Sequence, residues 1–124
     1  MNRIVLITVL FAALASTCYA QKKLVYLGCD LPDKPEHPAQ HFDFMLDEAN
    51  RTVSSLVQGA VTVNKEKAVF RGDTVTWTTA GLETIARTIS QTSLTFTEVV
   101  FVGENSWRVE GTCKVLSSHA VLGS

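Results

Sequence analysis

Residues that could bind a metal ion are concentrated between positions 30 and 43. This segment holds carboxylate and imidazole side chains, the ligands of zinc and related ions: Asp30, Asp33, Glu36, His37, His41 and Asp43. His37 and His41 have the spacing of a ligand pair on one helical face, but Pro38 between them disfavours that helix. Without a fixed geometry the ligands do not converge. The sequence therefore favours a solvated polar loop, and we predict neither metal-binding nor cofactor-binding residues.

Nucleophilic catalysis finds little support. No serine lies in a Gly-x-Ser-x-Gly or Ser-x-x-Lys motif, and the three histidines are His37, His41 and His119. A catalytic triad needs a base held by rigid structure, whereas His119 lies close to the C-terminal end. We therefore predict no catalytic residues and a protein that is not an enzyme. Hydrolysis by paired carboxylates stays open, because spacing in sequence does not fix distance in a β-fold.

Three short motifs each have a structural explanation beside a functional one. Arg71-Gly72-Asp73 matches a cell-adhesion tripeptide, but Gly-Asp is also typical of a tight turn, which we favour. Asn50-Arg51-Thr52 is an acceptor triplet for N-glycosylation, used only in a host that modifies exported chains. Prolines at 32, 35 and 38 fit one edge of a polyproline helix, and here we favour a rigid connector.

Threonine and tryptophan alternate along the predicted strands. A threonine ladder can form a polar surface for sugars or proteins, but more often it covers the solvent side of a sheet, which we favour. The threonines concerned are Thr74, Thr76 and Thr78 on one strand, and Thr95 and Thr97 on another. Trp77 and Trp107 fall on the apolar faces of their strands, so we expect both in the core.

The N-terminal segment has the three-part layout of a secretory signal. Arg3 gives a short basic region, residues 4–14 are apolar except for one threonine, and small residues lead to Ala20. We predict a signal peptide over residues 1–20, cleaved between Ala20 and Gln21. The apolar run is shorter than the roughly 20 residues that span a membrane. The predicted localisation is therefore periplasmic or secreted.

The mature chain is then one domain over residues 21–124. It carries ten basic and twelve acidic residues, a net charge of −2, because Arg3 is the only charged residue before it. No basic patch is visible, so we predict no nucleic-acid partner. Contact with a membrane is limited to two alternatives: an uncleaved signal segment, or a lipid on Cys18.

Two cysteines remain after cleavage, Cys29 and Cys113. An even pair in an oxidising compartment predicts a disulfide bond. The two positions are 84 residues apart, so the bond would close nearly the whole mature chain into one loop. A structural link is favoured over a redox pair, which is more often a close Cys-x-x-Cys.

Apolar and polar residues alternate with a period of two along most of the chain, which indicates half-buried β-strands. The clearest inward-facing set is Trp107, Val109, Gly111, Cys113 and Val115; a second set is Leu94, Phe96, Val100 and Val102, interrupted by Glu98. Segment 82–89 has two isoleucines at helical spacing, but its β-branched residues favour a strand.

Turn residues at hairpin spacing divide these runs into about eight short strands. Other predicted strands cover 22–28, 41–46, 52–58, 60–63 and 74–78, with turns at 47–51, 64–67, 71–73, 80–81, 90–93 and 103–106 and a proline-containing loop at 31–40. The pattern predicts an all-β fold: a small antiparallel barrel or sandwich with one disulfide.

The chain resembles small exported bacterial β-domains, among them the C-type lysozyme inhibitors of the periplasm. The matching residues are Val25-Tyr26-Leu27-Gly28-Cys29, Thr76-Trp77-Thr78 and Gly111-Thr112-Cys113. The resemblance implies a small barrel in which a first-strand cysteine pairs with one near the C-terminus. The Ser-Gly-x-x-Tyr segment of that family's inhibitory loop is absent, so no functional residue is carried over. Residues 83–96 are similar to other small exported proteins of unknown function.

These observations favour an exported, non-catalytic module that binds a protein or a glycan, a class that includes inhibitors and immunity proteins. The alternatives are a small periplasmic hydrolase and a structural component of the cell envelope, held there by a lipid on Cys18.

Overall fold

The computed structural model describes residues 24–35 and 38–117. Within these ranges the chain forms nine β-strands and no helix. Accordingly, this part of the chain has no helix that is long and apolar enough to cross a membrane. The strands are β1 (Leu24–Leu31), β2 (Gln40–Asp47), β3 (Thr52–Val57), β4 (Asn64–Lys67), β5 (Val69–Arg71), β6 (Thr74–Thr79), β7 (Thr84–Ser90), β8 (Thr95–Val102) and β9 (Asn105–Val115).

The predicted signal peptide lies outside the described residues. So do the predicted cleavage site between Ala20 and Gln21, the alternative lipid site at Cys18, and both Glu36 and His37 of the metal-ligand candidates. His119 lies outside them as well.

All the strands pair antiparallel in the order β4-β3-β2-β1-β9-β8-β7-β6-β5. The two edge strands, β4 and β5, are separated in sequence by Ala68 alone. The stretch 64–71 therefore pairs with β3 through its first half and with β6 through its second half, and this change of partner curls the sheet into a nearly closed barrel. The prediction of an all-β fold, a small antiparallel barrel or sandwich of about eight strands, is confirmed: the fold is a nearly closed barrel of nine strands, of which β4 and β5 share one continuous segment.

The connections fall at two ends of the barrel. The connections β1–β2, β3–β4, β6–β7 and β8–β9 lie at one end, which we call the loop end, because the paired residues Leu31 and Gln40, and Val102 and Asn105, mark where their strands finish. The turns at 48–51, 72–73 and 91–94 lie at the other end, together with the start of β1 and the finish of β9.

The core fills the barrel interior with side chains from alternate positions. Its centre is an aromatic cluster of Phe42, Phe44, Trp77 and Phe96, with ring centroids 5.1–6.5 Å apart in stacked and edge-on arrangements. Aliphatic residues complete the core, including Leu27, Leu46, Val75, Ile89 and Val109, all essentially inaccessible to solvent. Such packing stabilises the barrel through burial of apolar surface and through favourable aromatic geometry.

The predicted disulfide is confirmed. Cys29 of β1 and Cys113 of β9 are direct neighbours in the antiparallel register, and their sulfurs are bonded. Cys29 is fully buried. The bond therefore reinforces the pairing of the first strand with the last, where the two ends of the domain meet.

Gly111 of β9 occupies a position that no larger residue fits. A Cβ atom there would overlap the backbone oxygen of Asp30 and lie 3.0 Å from Cδ2 of Leu31. The absence of a side chain lets β1 approach β9 closely just beyond the disulfide.

Two predictions about the β3–β4 region are wrong. Residues 60–63, predicted as a strand, form the connection between the two strands, and the predicted turn at 64–67 is β4 itself. Val61 and Val63 supply the apolar alternation but are exposed. The real strand is polar, and its half-buried residue, Glu66, is held by hydrogen bonds to Thr79 rather than by apolar packing.

The predicted inward positions of Val102 and Val115 are also wrong. Val102 is exposed, and Val115 is 66% exposed. Each is the last residue of its strand, so it extends past the core that buries Phe96, Val100 and Val109. Leu94 lies before β8 and packs partly buried against the core.

Candidate functional site

The barrel interior opens at the loop end into two adjoining cavities. One has a volume of about 290 Å³ and is bordered by β2, β3, β4 and β6, and the other has a volume of about 270 Å³ and is bordered by β2, β8 and β9. Phe42, Val57 and Arg87 line both of them. We call this paired opening the mouth. Barrel mouths are a preferred position for binding sites, because strand ends and loops surround a concave surface.

A buried ion pair crosses the mouth. Arg87 of β7 and Glu98 of β8 are register partners and both point inward, because each lies two positions from a buried residue of its strand. The guanidinium places Nε 3.0 Å and Nη2 2.9 Å from Oε1 of Glu98. The side chains are only 14% and 3% exposed. At such burial each charge stabilises the other, because a charged group that is removed from water without a partner lowers the stability of the fold.

The ion pair continues into a hydrogen-bonded chain that reaches β4. Arg87 Nη1 donates to Oγ1 of Thr79 at 3.3 Å. The Thr79 hydroxyl in turn donates to the carboxylate of Glu66, whose oxygens lie 2.7 and 2.9 Å away. This chain connects β8, β7, β6 and β4, and therefore spans the place where the barrel closes. The guanidinium also lies over the Phe42 ring, 5.4 Å from its centroid, in a cation–π contact.

Exposed apolar side chains are concentrated at the loop end, the end at which the mouth opens. In the described part of the chain, five of the eight large apolar residues that are exposed lie on the loop-end connections or the adjoining strand end. They are Val61, Val63, Leu82, Phe101 and Val102, which we call the rim. Val61 is 98% exposed, and Leu82 is fully exposed. Exposed apolar residues are usually scattered singly over a domain surface, and a concentration at one end is typical of a binding surface.

Neither the ion pair nor the rim was predicted as a site. The sequence marks Glu98 as an interruption in an apolar strand face, and that interruption is the signal for a buried polar role. The partner, Arg87, could be inferred only from the pairing of β7 with β8. The sequence predicts a strand over residues 60–63, and this prediction gives no sign that Val61 and Val63 are exposed on a connection.

The predicted polar cluster at 30–43 comes together only in part. Asp30, His41 and Asp43 meet on the outer face of β1 and β2, where His41 Nδ1 lies 2.7 Å from Asp30 Oδ1 and Nε2 lies 3.0 Å from Asp43 Oδ1. Asp33 is exposed on the following loop. Within residues 24–35 and 38–117, no group of three potential metal ligands has the arrangement that would hold an ion.

The environment of His41 stabilises its protonated form. Partial burial lowers the pKa of His41, but the hydrogen bonds and charges of Asp30 and Asp43 outweigh this effect, so the pKa is raised above its ordinary value. With an acceptor at each ring nitrogen, the imidazolium can donate both of its protons.

The chain matches no known protein family, no curated protein and no solved structure. The resemblance to C-type lysozyme inhibitors is therefore not tested by these comparisons and stays a prediction.

The adhesion tripeptide and the glycosylation triplet both lie in turns at the end opposite the mouth. Gly72 has a positive φ of 59°, as a tight turn requires. The Asp73 carboxylate accepts hydrogen bonds from Thr92, Ser90 and Thr74, which lower the pKa of Asp73, and the bond from Thr92 has the largest effect. Asn50 donates through Nδ2 to Oδ2 of Asp47 at 2.8 Å, so its amide stabilises the β2–β3 turn.

The tryptophans and threonines fall on opposite faces of the barrel wall. Trp77 is buried in the core, whereas Trp107 is half-buried and borders the mouth. The threonines at 74, 76, 78, 95 and 97 are half-buried or exposed beside buried Val75, Trp77 and Phe96, so they lie on the outer face.

Proposed function

We propose that the protein is an exported, non-catalytic binding module that docks a protein partner on the loop end of its barrel. The observation that carries the proposal is the rim of exposed apolar residues at the loop end, where a mouth with polar groups at its base opens. An apolar contact zone with a few buried polar groups at its centre is the usual anatomy of a protein–protein interface.

The chemistry of the rim favours a protein partner over a glycan. Val61, Leu82 and Phe101 present hydrocarbon surface, which gains free energy when another apolar surface covers it. A glycan presents mainly hydroxyl groups, and these lose hydrogen bonds to water when aliphatic side chains cover them. The tryptophans that could stack on a sugar ring are buried or half-buried.

A non-catalytic role is supported by the way the charged groups at the mouth are used. Arg87 forms an ion pair with Glu98 and donates a hydrogen bond to Thr79. A hydrolase would need an acid and a base held apart for a substrate. A rigid barrel with a disulfide instead suits tight binding, because less conformational entropy is lost on association. Inhibitors and immunity proteins are two classes of such modules.

Export is supported by the signal-like sequence at residues 1–20 and by the disulfide, which is consistent with an oxidising compartment. The test is the intact mass of the exported form. A mass that equals residues 21–124 with one disulfide and no lipid supports a protein released into the periplasm or medium. A lipid on Cys18 would instead support the envelope-component alternative.

The docking surface is tested by capture from an envelope extract of the source organism. Immobilised wild-type protein, a rim variant carrying Val61→Asp and Leu82→Asp, and a control carrying Val69→Asp are compared after chemical crosslinking. Val69 is 52% exposed on β5, outside the rim. We expect one protein that the wild type and the control retain and the rim variant loses. Equal retention by all three, or a captured component that resists protease, would contradict the proposal.

A further inference from the structure

We infer that the mouth receives a basic side chain of the protein partner, a lysine or an arginine, and that Glu66 binds its cationic group. This inference deepens the proposed function and rests on it. It follows from the balance of charge inside the mouth, from the engagement of Arg87, and from the shape and chemistry of the larger cavity.

The charges that reach the mouth do not balance. The residues that line the two cavities include three carboxylates, Glu66, Glu83 and Glu98, and two cationic groups, Arg87 and Lys65. Lys65 borders the larger cavity but is exposed to solvent, and Lys67, on the other side of Glu66 in β4, lines neither cavity. Among the described residues no ion pair joins either lysine to Glu66. With three carboxylates and two cations, the charged residues that line the mouth have a formal net charge of −1.

The unbalanced charge lies on Glu66 rather than on the buried pair. Arg87 uses Nε and Nη2 for Glu98 and Nη1 for Thr79. Among the side chains of residues 24–35 and 38–117, Glu66 accepts from the neutral hydroxyl of Thr79, although a carboxylate can accept about four hydrogen bonds. A further anion at the mouth would meet three carboxylates, an occupied guanidinium and the solvent-exposed Lys65. A cation would meet an acceptor with unused capacity.

The cavity beside Glu66 suits a long basic side chain. Its volume is about 290 Å³, its apolar walls include Phe42 and Val57, and Lys65 and the engaged Arg87 lie at its border. The methylene groups of lysine or arginine can pack on the apolar walls while the charged end reaches a polar partner. The rim would contact the apolar surface around that residue. A central basic anchor within an apolar ring is a common form of binding hot spot.

The test uses small molecules that reproduce the isolated side chains. n-Butylammonium and n-propylguanidinium are titrated into the full mature protein, and the amide chemical shifts are followed by NMR. We expect saturable shifts at Glu66, Thr79 and Arg87. Neutral n-butanol and anionic butyrate serve as matched probes, and neither should produce these shifts.

The decisive variant is Glu66→Gln, which removes the charge but keeps an oxygen that can accept from Thr79. We expect its affinity for n-butylammonium to fall about tenfold or more, as for the loss of a charge-assisted hydrogen bond. Glu110→Gln, at an exposed position of β9, should bind as the wild type does. An unchanged unfolding midpoint of Glu66→Gln would show that the fold is intact.

Three outcomes would overturn the inference: equal shifts with n-butanol, a preference for butyrate, or unchanged binding in the Glu66→Gln variant. The outcome of the capture experiment is independent of the outcome of the amine titration. If the rim variant loses the partner while the amines do not bind at Glu66, the docking surface stands without the basic anchor. If the amines bind but the rim variant keeps the partner, the loop end is not the docking surface.

Discussion

Arg87 and Glu98 face each other across β7 and β8, and two nitrogens of the guanidinium, Nε and Nη2, contact the same carboxylate oxygen. This pair lies inside a barrel whose other inward positions are mostly apolar. It also anchors the chain of hydrogen bonds that reaches Glu66 on the closing segment. The interior of the loop end is therefore organised by polar contacts, and the centre of the barrel by aromatic packing.

The first prediction concerns this ion pair. Glu98→Leu leaves the Arg87 guanidinium buried without its carboxylate, so we expect unfolding free energy to fall by roughly 3–5 kcal/mol. The double variant Arg87→Met with Glu98→Leu removes both charges and should be more stable than the single variant. Urea unfolding of the wild type and each variant measures the difference.

A matched control is the exposed pair Arg108 and Glu110, whose atoms Nη2 and Oε2 are 3.5 Å apart. Glu110→Leu should change stability by less than about 1 kcal/mol, because water solvates both groups. The single variant Arg87→Met completes the comparison. If the losses of unfolding free energy in Arg87→Met and Glu98→Leu add up to the loss in the double variant, the two charges are not coupled as described.

The second prediction concerns Gly111. In Gly111→Ala the new Cβ would meet the backbone oxygen of Asp30, which cannot move without disturbing the pairing of β1 with β9. We expect a loss of roughly 1–3 kcal/mol or more, as for other overpacked sites. Gly81→Ala is the control, because its Cβ would have its nearest neighbour at 3.8 Å in the β6–β7 connection. Equal unfolding midpoints for the two variants would contradict this account.

The third prediction concerns the disulfide. Cys29→Ala with Cys113→Ala releases a loop closed across 84 positions, and in the chain-entropy model this costs roughly 4–5 kcal/mol. Alanine is used because Cys29 is fully buried, where a serine hydroxyl would add its own cost. Unfolding should be insensitive to reductant in the double variant and sensitive in the wild type. If complete reduction of the disulfide left the unfolding free energy of the wild type unchanged, the prediction would be refuted.

The sequence predicts the barrel because most of its strands bury one face, and apolar alternation reports that burial directly. The same reasoning does not predict β4, because its half-buried residue is Glu66, which accepts a hydrogen bond from Thr79, thirteen positions away. The disulfide is predictable from two cysteines in an exported chain. The mouth is not, because Arg87 and Glu98 become a pair only through the register of β7 and β8, which side-chain alternation does not fix.

The sequence does not predict the exposed rim, for a related reason. Val61 and Val63 alternate with polar neighbours as a strand would, yet they follow Gly59, which has a positive φ of 91° and lies in the turn after β3. Apolar alternation indicates that the apolar side chains point to the same side of an extended chain, but it does not show whether other residues cover that side. Only the placement of the loop relative to the barrel distinguishes a core strand from an interaction surface.

The fourth prediction concerns pH and His41. Because Asp30 and Asp43 raise its pKa in the folded protein, in spite of partial burial, the imidazolium stabilises the fold. This contribution is fully present below the ordinary pKa of 6.5 and is lost as the pH rises through the raised folded value. We therefore expect the stability difference between the wild type and His41→Gln to be largest in mild acid and to shrink toward alkaline pH.

The measurement is urea unfolding of both proteins from about pH 5 to about pH 9, together with NMR titration of the His41 ring. Taking the difference between the two proteins removes the contributions of His37 and His119, which both of them contain. Asp43→Asn should bring the His41 pKa down, since it removes one of the two carboxylates that favour the imidazolium. A His41 that titrates at or below 6.5 in the wild type would show that burial, rather than the two aspartates, controls its protonation.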